Sequence, residues 1–448
     1  MTDASPSSND RPSLYVLFLY GLFLIVLLAT PLTVSGWVDD MADKWFLIRT
    51  AGPLLLVLLL FYLSGKEIRR APLPLLPVLV IALTVTQALS LTDTTNIGIS
   101  MTVITRQLGL LAFFFLARYF SSNASLRSGI LYTFVILGTA TSVYGIAQHF
   151  GYDFIDWQKF SEVPTRRGTS FMGHATFAGS VLIIIMPLTV VTFLSVRARV
   201  PRILCAVAFL LLFYHLSFTG ARVATLALFL AAGVGLLIAF FARRKLRDTD
   251  DDIAPGSNNE YDVVLKLKKE HLNLVAIAFF VVGIVFVGRA WQEKGSDVFG
   301  LKEGGMAQRI FAWETANRMF VAHPVNGVGV GNYEIASPPY WNRIEAIRYS
   351  RYLRALYQPH NEYIETAAET GFIGVACLIG ILVVALTQCV SAIPRSPILY
   401  SGLLVALIAT ALDACFIFPW QVPESALLFW ILLGIIDGAQ PQQESASV

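Results

Sequence analysis

The chain has 448 residues, 56% of them hydrophobic and only 14% charged. Soluble domains carry about 25% charged residues, so an ordinary soluble globule is excluded. A formal net charge of +3 is too small for a nucleic-acid surface, and no nucleic-acid partner is expected.

Apolar runs long enough to cross a bilayer recur along the chain, and they are continuous rather than alternating. Helices rather than barrel strands then satisfy the backbone in lipid. The expected fold class is all-α, a polytopic membrane protein with about 12 transmembrane helices. The spans are predicted at roughly 13–35, 46–64, 73–91, 100–119, 128–149, 170–195, 203–219, 222–242, 271–290, 371–391, 398–418 and 424–438. The first run lacks a small-x-small cleavage site before Trp37 and reads as a retained span rather than a signal peptide.

Loop charge sets the orientation. Lys66, Arg69 and Arg70, then Arg197, Arg199 and Arg202, then Arg243, Arg244, Lys245 and Arg247, and finally Arg395 all follow even-numbered spans. Positive loops stay in the cytoplasm. Both termini are then cytoplasmic, and one long loop faces outward. The organisation reads as spans one to nine over 1–290, the outward loop over 291–370, spans ten to twelve over 371–438, and a disordered tail over 439–448. The segment 243–270, with four aspartates before Pro-Gly-Ser-Asn-Asn, reads as a flexible linker. Cys205, Cys377, Cys389 and Cys415 lie in apolar runs without metal-ligand spacing and read as packing residues.

The outward loop differs from the rest in composition. Residues Met306–Ala322 read as an amphipathic helix stopped by His323-Pro324, followed by a Gly-rich turn, Asn326-Gly327-Val-Gly329-Val-Gly331-Asn332-Tyr333. No strand precedes that turn, so it is not a dinucleotide-binding loop. Residues 341–357 are expected to form a second helix, with Arg343, Arg351 and Arg354 within about 80° of one another and Arg348 further round. Arginine forks suit phosphate; a solvated basic face or one meeting lipid headgroups is the plainer reading. Pro359 then places a helix start near His360, where the positive end of the helix dipole keeps an imidazole neutral and able to take a proton. A histidine that only hydrogen-bonds at the interface is the alternative. Glu362, Glu365 and Glu369 follow on the first turns, as acids that complement the dipole or as a partner for His360.

Upstream, Arg222 sits in a very short turn between two spans. It reads either as a functional cation or as an arginine snorkelling to the interface. Arg166 and Arg167 precede span six on the outward side, and His174, His323 and His215 read chiefly as structural. The deep spans hold few ionisable residues, mainly Arg106 and Asp413, and no paired repeats, which argues against a transporter or flippase.

His360-Asn361, nine residues, Gly371, two residues, Gly374 resembles the signature of the bacterial O-antigen ligase and polymerase family. Val375 departs from the ligase form of that pattern. Three further stretches are similar to the family: Arg309–Trp313 with His323–Tyr333, Thr219-Gly220-Ala221-Arg222, and Arg167–Gly179, where His174 replaces the usual asparagine. The resemblance covers about residues 165–390.

The resemblance implies a GT-C-like membrane glycosyltransferase of the bacterial inner membrane, with its active site in the periplasm. The donor would be an undecaprenyl-pyrophosphate-linked glycan and the acceptor lipid A–core, with membrane lipids as surroundings. His360 would be the general base of an inverting displacement, with Arg222 and Arg309 on the leaving pyrophosphate. Arg167, Arg343, Arg348, Arg351, Arg354, Asn361 and Tyr363 would bind pyrophosphate or glycan. No cofactor or metal is implied. A polymerase, or a protein O-oligosaccharyltransferase, would share this core.

Overall fold

The computed structural model describes residues 12–34, 40–66, 73–155, 167–249, 305–342 and 358–440. Every regular element among them is helical. The helices are α1 Leu14–Leu32, α2 Asp40–Ser64, α3 Leu75–Leu89, α4 Ile97–Ser121, α5 Ala124–His149, α6 Ala175–Ser195, α7 Arg199–Thr219, α8 Arg222–Thr249, α9 Gly305–Ala322, α10 Tyr333–Ala336, α11 Glu362–Ala392, α12 Pro397–Asp413 and α13 Pro423–Gly438.

Eight of these are long and apolar enough to cross a membrane, and α8 and α12 contain shorter apolar helices. The chain is a polytopic membrane protein. Eleven of the twelve expected spans correspond to a described helix; the ninth, 271–290, lies outside the described residues, as do the linker beyond Thr249 and the last eight residues of the tail. The tenth span is the later part of a helix that begins at Glu362, in line with the start expected near His360, and runs for 31 residues with an interruption at Gly371.

Short polar side chains start several helices. Asn96 and Asn123 each accept two backbone N–H groups at the heads of α4 and α5, and Ser13 accepts one from Val16 at α1. Such caps contribute about 0.5–2 kcal/mol each. At the other end of a helix, Gly220 takes φ 63 to close α7, which lets α8 turn back within two residues.

The core is built around α6 and α13, which are apolar on all sides and buried over nearly their whole length. Small residues let backbones touch. A Cβ on Gly109 would lie 2.7 Å from the Ile48 carbonyl, and one on Gly434 would lie 2.5 Å from that of Phe114. So α4 is wedged between α2 and α13 at backbone distance, as expected where lipid supplies no hydrophobic drive between helices. At one end of the bundle Asp437 accepts from Arg118 and, at 2.8 Å, from Gln388. At the other end, buried Lys44 of α2 pairs with Glu424 at the head of α13 and donates to the Phe171 carbonyl at 2.6 Å. That second end gathers the first turns of α2, α4, α6, α8, α11 and α13, and it carries the candidate site.

Candidate active site

The region after α9 is fastened to the bundle by the Gly-rich turn. Asn332 donates to Thr94 Oγ1 at 2.9 Å and Ser100 Oγ at 2.7 Å, and accepts the Asn96 N–H at 2.8 Å. Ser100 in turn donates to the Val330 carbonyl, and Ser90 accepts the Val330 N–H. The turn is therefore knotted into the α3–α4 connection. On its other face, Glu369 accepts the N–H of Gly331 at 2.8 Å and of Tyr333 at 2.9 Å. Both carboxylate oxygens are thus spent on backbone.

The interruption in α11 explains the paired glycines of the His-Asn…Gly…Gly motif. Gly371 takes φ 69, ψ −168, a region open essentially to glycine alone. Phe372 N–H then donates to the Pro324 carbonyl at 2.8 Å, and a Cβ on Gly371 would stand 2.0 Å from the Val325 carbonyl. The break is where the Gly-rich turn seats against α11. A Cβ on Gly374 would meet Thr370 Oγ1 at 1.9 Å.

Between these fixed points lies His360. It sits one residue before the helix cap, with φ 55, a left-handed conformation uncommon for a non-glycine residue. Both neighbours hold it. Trp313 Nε1 donates to the Pro359 carbonyl at 2.8 Å. Asn361 caps α11 by accepting from Tyr363 and Ile364 N–H, both at 3.1 Å, and donates to the Cys415 carbonyl at 2.9 Å. Tyr363 donates its hydroxyl to the Ala411 carbonyl at 2.8 Å. Asn361 and Tyr363, expected on substrate, thus have their polar groups engaged inside the protein.

Rings link His360 to the head of α6. His360 packs on Phe418 at 5.1 Å between centroids, Phe418 on Phe177 at 5.8 Å, and Phe177 on His174 at 4.9 Å. His174 is the cap of α6, accepting the Thr176 N–H on Nδ1 at 3.3 Å. An acceptor Nδ1 puts the proton of the neutral ring on Nε2.

Charge completes the grouping. Burial pushes the His360 pKa from its ordinary 6.5 down to about 4, and the charges of Arg309 and His174 push the same way. Burial, then Arg167, lowers His174 likewise, and burial lowers Arg309. Arg309 lies one helical turn before Trp313 on α9, so both face the His360 segment. Arg167 lies over the α7–α8 turn, its Nε 3.9 Å from where a Gly220 Cβ would be. Arg222 opens α8 directly after that turn. Five expected or second-tier residues from four parts of the chain, Arg167, His174, Arg222, Arg309 and His360, thus meet at one end of the bundle. Arg343, Arg348, Arg351 and Arg354, with most of the expected second helix, lie outside the described residues.

His215 and His323, read as structural from sequence, each engage a polar group of the protein. His215 hydrogen-bonds the Gly168 carbonyl at 3.1 Å and His323 the Tyr340 hydroxyl at 2.8 Å. No carboxylate orients His360, whose Nδ1 is buried with no hydrogen-bond partner among the described residues. No cluster of metal-ligating side chains occurs among those residues either. His174, read from sequence as chiefly structural, is a helix cap.

Residues 206–379 match the family model described as O-antigen ligase. The match runs from α7 into α11 and includes Arg222, Arg309, His360 and both motif glycines, while Arg167 and His174 lie before it. Comparison with curated proteins finds no match.

Proposed function

We propose that the protein is an O-antigen ligase, transferring a glycan from undecaprenyl pyrophosphate to lipid A–core on the periplasmic side of the bacterial inner membrane. The observation that carries this reading is the placing of Arg309 and His174 against His360, with Arg167 beside His174 and over the turn that precedes Arg222, at one end of a membrane bundle, together with the O-antigen ligase domain match over most of those residues.

The chemistry follows from the groups present. The acceptor hydroxyl attacks the anomeric carbon, and its proton passes to Nε2 of His360. The bond from that carbon to the pyrophosphate oxygen breaks, and the lipid pyrophosphate leaves with the electron pair. Displacement at one face inverts the anomeric centre. Arg309, Arg222 and Arg167 stabilise the developing negative charge, a contribution made chiefly in the transition state. The arginines at 343, 348, 351 and 354 act as helpers from the adjoining segment.

A base with a pKa near 4 is weak at neutral pH. Burial is the main cause, and the charge of Arg309 adds to it; a pyrophosphate bound to Arg309 offsets that second part and moves the His360 pKa upward, the direction in which a general base gains strength.

The test is transfer by the purified protein with a defined lipid-linked donor and lipid A–core, with and without chelator, alongside the glycan profile of a strain lacking the gene. The ligase reading expects chelator-resistant transfer and long glycans left on the lipid carrier. Single repeat units on lipid A–core in that strain would instead assign the polymerase of the same family.

A further inference from the structure

The same end of the bundle holds a second polar space that this chemistry does not use. A cavity of about 110 Å³ lies among α2, α3, α4, α11 and α13, and Trp45, Gln87, Arg106, Gln107, Glu362 and Gln421 are in its wall. Ionisable residues within membrane-spanning helices mark functional sites by default. Arg106 stacks on Trp45 at 5.0 Å, so its charge is held in place at the wall.

Buried polar atoms in that wall with no hydrogen-bond partner among the described residues include Gln87 Oε1, Gln107 Nε2 and Glu362 Oε2. Gln107 and Glu362 are each only 6% exposed. Leaving such a group unmet costs about 1–3 kcal/mol, so the cavity's occupant must supply partners.

The unmet set restricts the occupant. It includes an amide oxygen that accepts, an amide N–H that donates and a carboxyl oxygen. A phosphate brings chiefly acceptors and leaves Gln87 Oε1 unmet. A bare cation cannot serve the Gln107 amide N–H and would face Arg106. A hydroxyl both donates and accepts, so neighbouring hydroxyls on one frame meet all three atoms. The rest of the wall, including Leu83, Leu378 and Trp430, is apolar. That suits the C–H face of a sugar ring better than a cluster of water. The volume is below the ~150 Å³ that houses benzene, so the space takes the hydroxyl-bearing edge of a single ring.

The cavity adjoins the candidate active site. Glu362 follows His360 by two residues, and Trp420, also in the wall, follows Phe418 by two. We infer that this cavity is a monosaccharide subsite, gripping one sugar of the glycan presented at His360. This inference rests on the glycosyl-transfer reading for its physiological ligand, but binding can be measured without turnover.

The experiment is saturation-transfer NMR on the full-length protein in nanodiscs. The probes are free glucose, galactose, mannose, rhamnose and N-acetylglucosamine, each at millimolar concentration. At least one sugar should receive saturation, and the signal should fall at least fivefold in Gln107→Met and in Glu362→Gln, with the melting temperature as a folding check. Two variants are used so that one survives if the other misfolds. No saturation transfer to any sugar in the wild type would mean that the cavity holds water only and would overturn the proposal. Binding unchanged in the folded variant would overturn it too. The inactive His360→Asn protein should still bind sugar. If sugar binds but transfer never occurs, the enzyme reading fails and the subsite stands; the reverse result removes the subsite alone.

Discussion

Trp313 and Pro359 are joined by a single hydrogen bond, indole N–H to carbonyl, at 2.8 Å. It couples α9, which carries Arg309, to the residue before His360, so the candidate base is tied to the helix of a candidate phosphate-binding arginine. Trp313→Phe keeps the ring and removes the donor. One buried hydrogen bond contributes about 0.5–1.5 kcal/mol, so the melting temperature should barely move. Small misplacements of a reacting group cost far more in rate, up to about 100-fold. Transfer kinetics should therefore show kcat falling at least tenfold with little change in KM.

His360 is best replaced by asparagine. Alanine would confound the loss of the imidazole with backbone strain at φ 55, whereas asparagine tolerates that region. His360→Asn should fold normally and lose about 10²–10⁴-fold in kcat. Near-wild-type turnover in the purified variant would remove His360 as the base.

The pH dependence follows from the field around that ring. In the free enzyme, kcat/KM should hold level above about pH 5 and fall on an acid limb near pH 4, where His360 becomes protonated. Arg309→Gln removes a positive neighbour, so the limb should move to higher pH, whatever happens to the absolute rate. The same shift affects stability. Between pH 6.5 and about 4 the unfolded chain binds the proton that folded His360 refuses, so this residue's contribution to stability falls as pH falls through that window. A limb that stays put in Arg309→Gln would separate the two residues.

His174 caps α6 with Nδ1. Asparagine is also a good cap, so His174→Asn should keep wild-type stability, while His174→Ala should lose about 0.5–2 kcal/mol. Because the charge of His174 also lowers His360, the asparagine variant should move the acid limb upward slightly. Thermal unfolding of both variants and the pH profile of His174→Asn distinguish a cap from a cap that also tunes the base.

Gly371→Ala combines a forbidden backbone region with a Cβ 2.0 Å from the Val325 carbonyl. Several kcal/mol should be lost, locally first. Limited proteolysis should cut within 323–333 in the variant under conditions that leave the wild type whole.

Much of this was legible from the chain alone. Apolar runs located the membrane helices, because burial in lipid demands unbroken apolar stretches whatever they pack against. As candidates, His360, Arg309 and Arg222 stand out in the sequence because their motifs sit at turns and helix starts, where short-range sequence fixes geometry. What escaped depends on distant partners. Glu369 looked like a dipole-complementing acid, yet it clamps Gly331 and Tyr333 from the far side of a long segment. Asn361 looked like a substrate contact, yet its amide is shared between a helix cap and the Cys415 carbonyl. The cavity joins single residues from separate helices, none of which forms a motif.

The break at Gly371 divides α11 into two parts with different allegiances. Ahead of it, Ala368 and Glu369 bond the Gly-rich turn while Glu362 and Tyr363 bond the end of α12, and the residues beyond it belong to the bundle. A chimaera meant to borrow the acceptor choice of a relative should therefore take its downstream joint inside the bundle, past Gly374. A joint at the apparent membrane boundary would give one parent's turn a seat shaped by the other's helix.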